Sequence, residues 1–195
     1  MQALTREDLY SLEQYAQVRD DFRAQVMAHK KHRKVAVGPN ATLYFEDRLT
    51  MQYQIQEMLR VERIFEPAEI QQELDAYNPL IPDGSNWKAT FMLEYDDVAE
   101  RREALARLIG VEDKVWVQVS GHDRVWGIAD EDLEREDSEK TSSVHFMRFE
   151  LSGEMVASAK AGAQIAVGID HPACRDQSHL DDPTRQSLTA DLDGD

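Results

Sequence analysis

Apolar residues recur at helical spacing through the first part of the chain. In "SLEQYAQVRDDFRAQVMAHKKHRK", residues 11 to 34, Tyr15, Val18, Phe22 and Val26 fall on one stripe, and Ser11 and Gln14 have capping-box spacing. The pattern predicts a helix whose last turn is the basic run His29 to Lys34. Alternation then replaces that period: "KVAVGPNATLYFED" reads as a short hairpin around Gly38-Pro39-Asn40. Two further helices are expected, one from Leu49 to Phe65 and one that opens with Pro67, runs through Ile70, Leu74 and Tyr77, and stops before Pro79.

From Trp87 the texture changes. Trp87, Ala89, Phe91, Leu93 and Tyr95 alternate as in a half-buried strand. A helix capped by Asp97 with Glu100 follows, turning Val98, Leu105, Leu108 and Ile109 inward and ending at Gly110. Val115, Val117 and Val119 mark a strand, "SGHDR" a turn, "VWGIA" a return strand, and "DEDLEREDSEK" a solvated loop or short helix. The last unit is "VHFMRFEL", a helix around "GEMVASAKAG", and "QIAVGI". Residues 87–119 and 144–170 thus form two strand-helix-strand units. The expected class is α+β: N-terminal helices and a short hairpin packed on a mixed sheet, in a ferredoxin-like arrangement with an extra strand. Residues 1–175 read as one globular domain and 176–195 as an acidic, flexible tail.

Within "MQYQIQEMLRVERIFE" the residues Met51, Ile55, Met58, Leu59, Val61 and Phe65 form a broad apolar arc with Glu62 in its middle, while Glu57 projects between Tyr53 and Ile64. A carboxylate in apolar surroundings is costly unless paired. Glu62 is therefore expected to take a cationic partner, to escape at the helix end, or to face a ligand with a raised pKa. His145 shares a strand face with Met147, Phe149 and Leu151, which suits a hydrogen-bonded core histidine before a metal ligand or a proton carrier. His122 lies in a turn, and exposure is the simple expectation. His171, Cys174 and His179 are a weak metal signal in "HPACRDQSH", and no metal site is assigned. The glycine spacing of a phosphate loop and the GxSxG element do not occur.

Composition narrows the classes. The apolar and charged fractions, 42% and 31%, are those of a globular protein without a membrane span. The first twenty residues carry Arg6, Glu7, Asp8, Glu13, Arg19 and Asp20 and no apolar h-region, so the expected compartment is the cytoplasm. One cysteine, Cys174, cannot form an internal disulfide or a four-thiolate cluster. No internal iron-sulfur cluster is expected; any cluster would belong to a partner. A net charge of -16 disfavours nucleic acid. Against that charge Lys30, Lys31, Arg33 and Lys34 stand out. They suit a helix C-terminus, and they are also a candidate patch for an anion or a partner.

Together "GPNATLYFED", "QIQEMLRVERI", "YNPLIP" and "SSVHFMRFELS" resemble a bacterial domain-of-unknown-function family, over nearly the whole chain up to "DHPACR". The resemblance places its motif positions at Gln56, Glu57, Arg60, Glu62, Tyr77, Asn78 and His145, a candidate pocket without assigned roles. It also implies a setting, because the family's members are typically encoded beside rubrerythrin and a cysteine-rich iron-sulfur oxidoreductase. The expectation is an accessory or partner-binding protein of such a redox system, linked to peroxide defence or electron transfer. The alternative is a small-molecule or metal-dependent enzyme with its site on the helix carrying Glu57 and Glu62.

Overall fold

A computed structural model describes residues 2–129 and 140–193. The acidic stretch read as a loop or short helix, 130–140, lies outside them apart from Lys140. The class is α+β, as the patterns predict. One layer is helical: α1 (Leu12–Lys30), α2 (Arg48–Glu62) and α3 (Pro67–Tyr77). Ser11 and Gln14 close the expected capping box on α1, and Asp47 with Thr50 does the same on α2. Tyr15, Phe22 and Val26 of α1 pack on Leu49 and Tyr53 of α2, while Met51, Ile55 and Leu59 pack on Leu74 of α3 and on Leu4.

The strands form two sheets. The first runs β1 (Lys34–Val37), β2 (Ala41–Glu46), β3 (Asn86–Leu93), β7 (Val144–Glu150) and β6 (Ile128–Ala129) in spatial order; the second runs β5 (Val125–Trp126), β4 (Val115–Val119), β8 (Ile165–His171) and β9 (Cys174–His179). Every pairing is antiparallel. The expectation of one mixed, ferredoxin-like sheet is corrected at this point. Both strand-helix-strand units exist, but α4 (Val98–Arg107) and α5 (Gly153–Lys160) each carry the chain from the first sheet to the second. The reason is burial: Ala104, Leu105, Val156 and Ala159 join the inward faces of both sheets in one apolar core with Phe91, Phe149, Val117 and Val167. Val98 and Ile109, expected inward on α4, are exposed instead.

The sandwich is nearly closed at its sides. β5 runs into β6 through Gly127, whose N–H donates to Val115 O, and a Cβ there would come within 3.0 Å of Phe149 Cε1. At the other side Ser178 Oγ of β9 donates to Ala36 O of β1 at 2.6 Å. The expectation of a flexible tail over 176–195 is likewise corrected for its described part: residues 176–193 complete β9 and form α6 (Asp182–Thr189), with Leu180, Leu188 and Leu192 in the main core. Their acidic composition hid three well-spaced leucines. No described helix is long and apolar enough to cross a membrane.

Candidate functional site

The sequence-nominated positions of α2 and α3 are occupied by structural tasks. Gln56, fully buried, accepts from Tyr10 N at 2.6 Å and returns a bond from Nε2 to Tyr10 O at 3.4 Å. Asn78 makes the matching pair with Leu4, accepting from its N at 2.8 Å and donating to its O at 2.9 Å. Two side-chain amides thus act as surrogate strand partners and staple residues 4–10 to the helices. Glu57 takes a two-pronged bond from Arg19, 2.8 Å on each arm, and a third from Tyr15 Oη at 2.7 Å. Arg19 foremost holds the Glu57 carboxyl below its usual range, while burial and that carboxylate push the Tyr15 phenol up.

Glu62 escapes at the helix end. α2 stops there because Arg63 adopts a left-handed conformation, φ 58°, so the outer end of the apolar arc never meets the core. Glu62 and Arg60 face solvent, Val61 and Phe65 are each 68% exposed, and Tyr77 is half-buried in the helical layer. His145 lies elsewhere, in the sheet core. Its Nε2 is 3.0 Å from Thr141 Oγ1 and from Ser142 O, and 3.8 Å from Glu112 Oε2. Its neighbours are thus different from those of Gln56, Glu57 and Asn78, and the seven motif positions are divided between two parts of the fold.

The remaining histidines are engaged in different ways. His122, expected at the surface, is half-buried with Nε2 2.8 Å from Ser158 Oγ. His171 uses both ring nitrogens on backbone, at Ile109 O and Ala173 N. Burial, then Asp176, raises the Cys174 thiol. Among the described residues no three His, Cys, Asp or Glu side chains converge as a metal site would require.

The basic run divides. Lys30 lies over the Tyr53 ring and Lys34 over Tyr44, Lys31 is exposed, and Arg33 turns inward to 2% exposure. Arg33 Nε donates to Phe45 O, Nη2 to Glu46 O and Asp191 Oδ2, and Nη1 to Ser187 and Asp191 Oδ1. Asp47 Oδ2 lies 3.4 Å from Nη1 and 2.5 Å from His29 Nε2. One guanidinium is therefore shared by two buried carboxylates beneath an opening of about 390 Å³. Burial opposes the charge on Asp47, but Arg33, the Thr50 N–H and His29 hold its carboxyl low. At Asp191 burial outweighs Arg33, and the carboxyl is pushed up to about 6. The sequence did hold a signal for Arg33, which is in phase with the buried Val35 and Val37; Asp191, far along the chain, carried none.

The larger opening, about 820 Å³, lies where the N-terminal segment meets the ends of α2 and α3. Leu9, Leu12, Leu59, Ile64 and Ile70 form its apolar lining, Phe65 flanks it, and Arg6 and Glu13 stand on its rim. Its shape and apolar walls suit an inserted side chain or helix better than a reacting polar substrate.

Comparison with known proteins agrees with the reading of the segments. A solved structure from Burkholderia pseudomallei, described as a novel protein of unknown function, is 52% identical to this chain, covers 98% of it and 100% of itself, and superimposes with a TM-score of 0.93. No curated protein matches the chain. The family described as protein of unknown function, DUF3501, matches residues 3–192, and the chain belongs to that family.

Proposed function

We propose that this protein is a cytoplasmic accessory protein that docks on a redox partner through the groove at the corner of α2 and α3. The observation that carries the reading is the pair Val61, in the last turn of α2, and Phe65, just beyond the end of that helix, each 68% exposed, with Phe65 flanking the apolar opening. Large apolar side chains clustered in this way mark interaction surfaces more often than idle ones. Gln56, Glu57 and Asn78 support the groove from behind by holding residues 4–10 and α1 in place. The partner is the iron-sulfur oxidoreductase that the family resemblance implies, with rubrerythrin as the second candidate. The lone, partly buried Cys174 suits the cytoplasm and leaves any cluster to the partner.

The test is surface-immobilised binding to the purified iron-sulfur neighbour, with rubrerythrin in a parallel channel. Saturable binding that falls about tenfold or more in Phe65→Glu, at unchanged thermal unfolding, is expected. Binding to rubrerythrin alone would reassign the partner. Binding to neither protein would refute the reading.

A further inference from the structure

The outward face of the second sheet carries a separate feature. In β4, "VWVQV", the valines point into the shared core and Trp116 points away from it. Opposite Trp116 on β8 stands Gly168. A Cβ on Gly168 would lie 2.2 Å from Trp116 Cζ2 and 2.5 Å from Cε2, so the indole edge that bears Nε1 lies flat across β8 and only glycine permits it. The ring is 2% exposed, and Nε1 has no hydrogen-bond acceptor among the described residues. A buried donor left unpaired costs about 1–3 kcal/mol.

Two arginines border the ring's surroundings. The Arg124 guanidinium stacks on the ring, 4.1 Å from its centroid. Arg124 Nη1 reaches Asp170 Oδ2 at 3.6 Å and Arg175 Nε reaches Asp170 Oδ1 at 3.1 Å, so a single half-exposed carboxylate serves two guanidinium groups. Trp116, Arg124, Asp170, Arg175 and Gln177 line an opening of about 380 Å³. Asp176 also borders it, but its side chain turns to the opposite face of β9, against Gly38. Two guanidinium groups thus meet a single carboxylate at this opening, in a chain of net charge -16, beside the unpaired indole donor.

We propose that this opening is a binding site for a small oxyanion, a molecule bearing a phosphate or carboxylate group. The anion accepts from the Trp116 indole N–H and from the free arms of Arg124 and Arg175, with Asp170 as the internal anion it displaces. Gln177 supplies a further donor at the rim. The site is independent of the groove on the helical layer and of whichever partner docks there.

The test follows the three indole N–H resonances of the full-length protein by NMR. Inorganic phosphate and succinate are added in separate titrations at constant ionic strength, with chloride as the balancing ion. The Trp116 resonance should move saturably, while that of Trp87, already donating to Leu188 O, stays fixed. Arg175→Gln, a change at a side chain 72% exposed, should weaken the response about tenfold. A response to phosphate alone identifies a phosphoryl ligand, and one to succinate alone a carboxylate ligand. No movement of Trp116 with either anion, a non-saturating drift, or unchanged affinity in Arg175→Gln would overturn the proposal.

Discussion

Arg33 and Asp191 are 158 positions apart and meet inside the protein, Nη2 to Oδ2 at 2.5 Å, with side chains only 2% and 4% exposed. The contact ties the start of β1 to the end of α6, and through Asp47 it reaches the first turn of α2. Removing one partner of such a pair leaves the other buried and charged. Arg33→Met should therefore cost about 3–5 kcal/mol, measured by urea unfolding. The double change Arg33→Met with Asp191→Leu should cost less than the sum of the two single changes, because Asp191 is then not left as an orphan and Asp47 keeps the Thr50 N–H and His29. A double variant worse than the sum of the two would contradict this account.

Protonation of Asp191 gives that contact a pH dependence. Its folded pKa, about 6, lies above the ordinary 3.8, so the folded state binds this proton more tightly than the unfolded chain. The contribution to stability is complete below the ordinary value and is lost as pH rises through about 6. Asp47 works the other way: its carboxyl is held low, so its contribution is present above the ordinary value and fades in acid. Between pH 4 and 6 the wild type should lose stability relative to Asp191→Asn, by on the order of 3 kcal/mol at most. A carbon-13 titration placing the Asp191 midpoint near 4 would rule this out.

Gln56 and Asn78 are expected to act locally. Gln56→Ala should raise hydrogen exchange at the Tyr10 amide, and Asn78→Ala at the Leu4 amide, by about tenfold or more, since each loses a bond worth about 1 kcal/mol or more. Were exchange at both amides unchanged, the stapling role assigned to these side chains would be wrong.

Gly168→Ala tests the close approach of Trp116 to β8. The added methyl would sit 2.2 Å from Cζ2, so the ring must leave the sheet, at a cost of about 1–3 kcal/mol. Denaturant unfolding measures the cost, and tryptophan emission shifted to the red reports the displaced ring. Wild-type emission and stability together would show that the ring does not lie on Gly168.

Local pattern exposed much of the secondary structure because each element satisfies its own rule. The α1 capping box, the Pro67 start of α3 and the alternation of β3 and β7 are all written in neighbouring residues. The candidate site was legible only as a set of residue types. Gln56, Glu57 and Asn78 were picked out by resemblance, yet their partners Tyr10, Arg19 and Leu4 lie 38 to 74 positions away, and no periodicity links them. Of the alternatives for Glu62, escape at the helix end is the one the structure takes, and the helical wheel could not choose it because it does not know where the helix stops.

By itself the sequence determined the class, the placement of helices and strands, and the absence of enough cysteine for an internal cluster, since these depend on short-range periodicity and on composition. Tertiary structure alone decided that the two strand-helix-strand units cross between facing sheets, that the acidic C-terminal segment packs as β9 and α6, and that Arg33 is internal. The physical reason is the same in each case. Burial of apolar faces is non-directional and is settled by whichever distant surface completes the core, and a buried charge then takes whatever partner that packing brings to it.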